Sequence, residues 1–132
     1  MPIVVEHLNE ATCQDRQDLR KIYRDAPSWL LDPLDDAVLW VENCLESGEL
    51  IGARFNARLL GAARLQRHQR VWHLSHMCVR NITRRRGVAE RLVSEARRMA
   101  EEKGAELRLL APAGHLEAHA LAARLNVALD ER

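Results

Sequence analysis

The spacing of apolar residues changes several times along this chain, and each change marks an element. "PIVVEHL" (Pro2–Leu8) is a short β-branched run between polar residues and predicts a first strand. Thr12 is placed to cap the helix "CQDRQDLRKIYRD". Asp15, three residues on, completes a capping arrangement, and Leu19, Ile22 and Tyr23 give the helix a narrow apolar stripe. "APSWLLDP" interrupts that helix. Asp32 as cap and Pro33 in the first turn then open a second one running to Gly48, with Leu34, Val38, Val41 and Leu45 at helical spacing.

After Gly48 the period shortens. "ELIGARFN" and "RLLGAARLQRH", joined by a tight turn near Asn56-Ala57, read as an antiparallel hairpin; a second turn around Gln69-Arg70 leads into the strand "VWHLSHMCV". Past Gly87 the period is helical again. Val88, Leu92, Val93, Ala96, Met99 and Ala100 share one face, while Arg97–Glu101 and Arg98–Glu102 pair on the other. Gly104 ends this helix, "AELRLLAP" is a buried strand, Gly114 to Arg124 a further helix, and "LNVALDER" at most one short strand. The order implies one α/β domain over residues 1–132: a mixed, mostly antiparallel sheet flanked by helices, with a right-handed crossover from Val79 to Leu107.

Charge narrows the function classes. Twenty Lys and Arg face nineteen Asp and Glu, a net charge of +1, without the basic excess that backbone binding of nucleic acid needs. At 47% hydrophobic and 30% charged residues the composition is that of a globular protein. No apolar run reaches membrane-spanning length and the N-terminus lacks a signal-peptide layout. The three cysteines, Cys13, Cys44 and Cys78, form no Cys-x-x-Cys pair. Free thiols in the cytoplasm are the expectation.

Against that balance stands "NITRRRGVAERLV" (Asn81–Val93), three arginines and a glycine where a helix begins. The helix dipole already makes this end positive, so either the arginines extend into water or an anion lies among them. A strand leading through a glycine loop to a helix start is a layout that holds phosphate on main-chain N–H groups, with Gly87 allowing close approach and Ala89 small one turn in. No Gly-Lys-Ser/Thr follows, so the loop is not a P-loop.

"TRRRGVAERLV" resembles the Arg/Gln-x-x-Gly-x-Gly/Ala acetyl-CoA motif of the GNAT N-acetyltransferase superfamily. The resemblance implies a GNAT fold, here with a shortened C-terminal end that leaves a sheet edge for a homodimer. It also implies acetyl-CoA as ligand. Thr83, Arg84, Arg85, Arg86, Gly87, Val88 and Ala89 would hold its pyrophosphate, and Met77, Cys78 and Val79 would line the pantetheine arm and acetyl group. "QDRQDLRKIY", "ARFNARLLGAAR" and "VRNITRRRGVA" are similar to the PanZ (PanM) family within that superfamily. Its members are acetyl-CoA-dependent partners of aspartate α-decarboxylase, PanD, which promote its maturation and restrain its activity. On this resemblance Arg54 and Asn56, on one face of a strand with Phe55 on the other, would face the decarboxylase; otherwise they are ordinary outward polar residues.

The alternative is a catalytic N-acetyltransferase. In catalytic GNAT proteins a Glu on the central strands often serves as base and a Tyr on the last helix as acid. Here the single tyrosine, Tyr23, falls on the first helix. His73 and His76 are the remaining candidate bases, and strand alternation places them on opposite faces, so at most one enters the cleft. His115 and His119 lie four apart on a helix but have no third ligand in view, so no metal is expected. Cys78, on a buried strand with no base beside it, is expected to be a packing residue.

Overall fold

The computed structural model describes residues 3–24, 37–80 and 87–131. The chain runs β1 (Val4–His7), α1 (Cys13–Arg24), α2 (Ala37–Ser47), β2 (Leu50–Phe55), β3 (Arg58–His68), β4 (Val71–Val79), α3 (Val88–Glu102), β5 (Glu106–Ala111), α4 (Leu116–Leu125) and β6 (Ala128–Glu131). The proposed start of the second helix at Asp32-Pro33, and Trp29, lie outside the described residues. No helix among the described residues is long and apolar enough to cross a membrane.

Turn chemistry builds the sheet. Asn56 adopts φ 56° and Gln69 φ 46°, left-handed values that let two-residue turns join β2 to β3 and β3 to β4. β1 to β4 pair antiparallel in chain order; β5 and β6 then add in parallel, after α3 and α4 respectively. The tail thus forms β6, a short strand along β5.

Each face of the sheet carries its own core. The amphipathic α3 buries Val88, Leu92, Val93, Ala96 and Ala100 against Ile51, Ala63, Leu65, Trp72, Leu74, Leu107 and Leu109. On the other face α1 and α2 bury Leu19, Ile22, Tyr23, Val41 and Cys44 against Leu50, Leu59, Ala62 and Cys78. The start of α1 is a reciprocal cap: Asp15 N–H donates to Thr12 Oγ1 (3.1 Å), and Thr12 N–H to Asp15 Oδ2 (3.3 Å).

Two arginine–aspartate pairs fasten α1 to the β2–β3 hairpin. Arg54 donates to both oxygens of Asp15 (2.9 and 3.1 Å) and to Glu6 (3.0 Å). Arg58 grips Asp18 from Nη2 (2.6 Å) and Nε (3.0 Å), while Leu59 N–H donates to the same carboxylate. Burial alone would push the Asp18 carboxyl up, but Arg58, Leu59 N–H and Gln14 outweigh it and hold the group below its usual value.

Candidate functional site

The parallel register of β4 with β5 runs from Val71↔Glu106 to Leu74↔Leu109 and goes no further. Within β4 the pairing with β3 steps from Arg64↔Ser75 to Ala62↔Cys78, one residue more on β4 than on β3. The extra residue lies at His76, whose φ of 52° is unusual for a residue with a Cβ. This β-bulge bends β4, and the two strands part around a cleft of about 540 Å³.

One wall of the cleft is β4 from Leu74 to Val79. The other is β5 from Leu109 to Ala111, then Pro112 just beyond it, together with α4. Arg80 N–H donates to Leu60 O, so the main chain of Arg80, and of Cys78 two residues back, is turned toward β3. The polar groups of Met77 and Val79 are therefore directed to the cleft side. At the foot of the cleft α3 begins. Gly87 precedes it at φ 70°, and a Cβ built there meets no atom of the described residues within 4 Å. Ala89 lines the cleft, whereas the Val88 side chain is fully buried in the core. Glu90 in this first turn suits the positive helix end and meets Arg124 of α4, a lining residue of the cleft, at 2.9 Å.

The site residues expected from the sequence therefore divide. Met77, Cys78, Val79 and Ala89 line one cleft, whereas Gly87 and Val88, which precede Ala89 in the chain, are not among its lining residues. Thr83, Arg84, Arg85 and Arg86 lie outside the described residues. The Cys78 thiol is turned to the α1 side, where it donates to Ile22 O at 3.3 Å, as fits a packing residue.

The expectation for the histidines is corrected. Trp72 and Leu74 belong to the α3 core, so His73 faces the other way, and its Nε2 lies 2.8 Å from Asp130 Oδ2 on β6. As the extra residue of the bulge, His76 also lands its ring on the α1–α2 side, 5.0 Å from that of Trp40. The two histidines share a face because the bulge resets the alternation. Of the two, only His76 lines the cleft, with its Nδ1 2.9 Å from Ser75 Oγ.

Tyr23 is buried on α1, and its hydroxyl donates to the His76 main-chain carbonyl at 2.8 Å. Burial pushes this phenol well above its usual range, so it acts as a neutral donor. Arg54 and Asn56 do not share a strand face as expected. Asn56 sits in the turn, exposed, and the Arg54 guanidinium is held by Asp15 and Glu6.

Sequence reasoning passed over the α4 wall. Glu117, Ala118, Leu121 and Arg124 fall at i, i+1, i+4 and i+7, and this spacing was the available signal that one face of α4 borders the cleft. His115 caps α4, its Nδ1 accepting from Ala118 N–H at 3.2 Å, and His119 meets Glu131 at 3.5 Å. Among the described residues no group of three or more His, Cys, Asp or Glu side chains is placed to hold a metal.

An antiparallel meander that runs into two parting parallel strands, with a helix starting at the foot of the cleft, is the fold of the GNAT acetyltransferases. The chain superposes on a ribosomal-protein-alanine N-acetyltransferase from Brucella melitensis with a TM-score of 0.72, at 21% identity, over 99% of this chain and 94% of that one. It also superposes on an N-acetylglutamate synthase from Neisseria gonorrhoeae complexed with coenzyme A and L-arginine, with a TM-score of 0.65 at 19% identity, over 89% of this chain and 26% of the other. Within that class the chain belongs to the PanZ acetyltransferase (GNAT) domain family, which it matches over residues 2–128. A PanD regulatory factor from Salmonella typhimurium is 36% identical over 97 residues, 72% of this chain and 66% of that protein. The chain thus spans about two thirds of the length of this curated relative.

Proposed function

We propose that this protein binds acetyl-CoA in the β4–β5 cleft and, in that state, acts on aspartate α-decarboxylase as a regulatory factor of the PanD type. The observation that carries the reading is the cleft itself. Its volume of about 540 Å³ suits an extended thioester arm, and a strand edge with outward main-chain groups lies along one wall. At its foot a helix N-terminus behind Gly87 favours an anion.

The residues present fit the ligand. Met77 and Val79 would meet the pantetheine amides through the main chain, Ala89 leaves room beside the arm, and Gly87 and Val88 would contribute N–H groups to the pyrophosphate. Thr83, Arg84, Arg85 and Arg86 would add the charge-assisted contacts. Bound acetyl-CoA supplies an acyl thioester to the cleft. Where the filled form binds the decarboxylase more tightly than the empty one, linkage makes partner affinity follow acetyl-CoA supply. In this reading Asn56, exposed in the β2–β3 turn, is a direct contact, and Arg54 shapes that surface through its hold on Asp15 and Glu6. A cytoplasmic location and self-association along the β6 edge belong to the same proposal. Sedimentation with and without acetyl-CoA tests the latter.

Calorimetric titration with acetyl-CoA tests the ligand. Wild type should bind, Gly87→Glu should not, and Gly87→Asn, which accepts the same backbone conformation, should keep most of the affinity. Maturation of purified PanD precursor should then depend on this chain and on acetyl-CoA together. A second reading, acetyl transfer to an amine, rests on His76 lining the cleft. Amine-dependent release of free coenzyme A would favour it over the regulatory one.

A further inference from the structure

We infer that Tyr23 is a positioning residue for the acyl end of the cleft, holding the His76 bulge open from beneath. The inference rests on the acetyl-CoA reading above. A ligand arm anchored by its phosphates at Gly87 and laid along β4 passes Val79, then Met77, and ends beside the bulge. The geometry of that bulge therefore shapes the space around the acyl group, while the phosphate end lies at the start of α3.

Three observations connect Tyr23 to the bulge. Its hydroxyl reaches 53 positions along the chain to donate to His76 O at 2.8 Å. His76 holds a left-handed φ of 52°, a conformation that a residue with a Cβ keeps when its surroundings fix it. Trp40 of α2 packs in tilted contact against both partners, its ring 4.7 Å from that of Tyr23 and 5.0 Å from that of His76. The hydrogen bond fixes the carbonyl and the two rings confine the side chain, so α1 and α2 together set where β4 leaves β5. No atom of Tyr23 is among the residues lining the cleft. It acts through His76.

The experiment compares acetyl-CoA with free CoA by titration calorimetry, for wild type and Tyr23→Phe. The variant keeps the ring and its packing and removes the single hydrogen bond. The expected result is a fall in the acetyl-CoA:CoA affinity ratio of about three- to tenfold, with CoA affinity itself changed less than twofold. A general loosening of the fold would weaken both ligands alike and leave the ratio where it was. Trp40→Phe, which thins the ring contact and keeps the hydrogen bond, should shift the ratio in the same direction by less, and decides the matter where Tyr23→Phe does not fold. If wild type binds both ligands but either fails to distinguish them or keeps its ratio in the variants, the positioning role is overturned and the acetyl-CoA reading stands. If wild type binds neither ligand, both fall together.

Discussion

Arg58 Nη2 lies 2.6 Å from Asp18 Oδ1, a half-exposed guanidinium closing over a carboxylate that has no exposed surface at all. The Leu59 N–H and the Gln14 amide complete its coordination. Asp18→Ala would strand the Leu59 N–H and release α1 from the β2–β3 hairpin. The expected loss is about 2–4 kcal/mol, toward the low end for a broken buried pair because Arg58 can rehydrate. Urea unfolding checks it, and Arg58→Ala should also destabilise, because it leaves the buried carboxylate without its guanidinium partner.

Gly61 faces Val88 and Val79 where α3 passes over β3. A Cβ there would stand 2.9 Å from Val88 Cγ1, 3.1 Å from Val79 Cγ2 and 3.2 Å from the Cys78 carbonyl. Gly61→Ala should destabilise by about 1–3 kcal/mol by overpacking. It should also weaken acetyl-CoA binding, because relief of the clash moves the start of α3 against the end of β4. Gly52→Ala meets the flexible ends of Leu59 and Leu8 instead and should leave that affinity nearly unchanged.

Acid should loosen the sheet at its β6 edge. Arg108 and then His73 draw Asp130 down from 3.8 to about 2. A carboxyl whose folded value lies below its unfolded one stabilises above the unfolded value, and that stabilisation is lost as pH falls through the folded one. The contribution of Asp130 therefore fades between roughly pH 4 and pH 2. Asp15, held down chiefly by Arg54, titrates in the same direction. Thermal midpoints followed from pH 6 to pH 2 should fall in this window, and Asp130→Asn should flatten part of the slope.

The three thiols should separate by rate. Cys13 is exposed at the start of α1, while Cys44 and Cys78 are buried. Burial pushes the Cys44 thiol up to about 11. A disulfide reagent at neutral pH should modify one equivalent quickly, the other two only with unfolding, and Cys13→Ser should abolish the fast phase.

Much of this was written in local patterns. The Thr12–Asp15 cap, the turns at Asn56-Ala57 and Gln69-Arg70, and the stripe of α3 all depend on residues close in sequence, and each forms where its residues predict it. The bulge at His76 was not legible, because nothing local demands it. Tyr23 and Trp40, from helices far back in the chain, enclose it, and so strict alternation put His73 and His76 on opposite faces where the fold puts them on one. Arg54 likewise read as an outward residue because its partners, Glu6 and Asp15, lie on β1 and α1. The cleft was legible along β4 and at Ala89. Its α4 wall is set by tertiary packing, with the helix spacing as the one local sign.

Strand order in the sheet repeats strand order in the chain, from β1 to β6 without a skip. Every strand therefore docks on its immediate predecessor or successor, and the β2–β3–β4 meander can zip through two-residue turns before anything distant arrives. Only the β1–β2 closure waits for two helices to be laid down between its partners. A topology of such near-neighbour contacts favours quick folding among mixed α/β domains. During synthesis, β5 and β6 would each meet an edge already waiting in the half-made sheet.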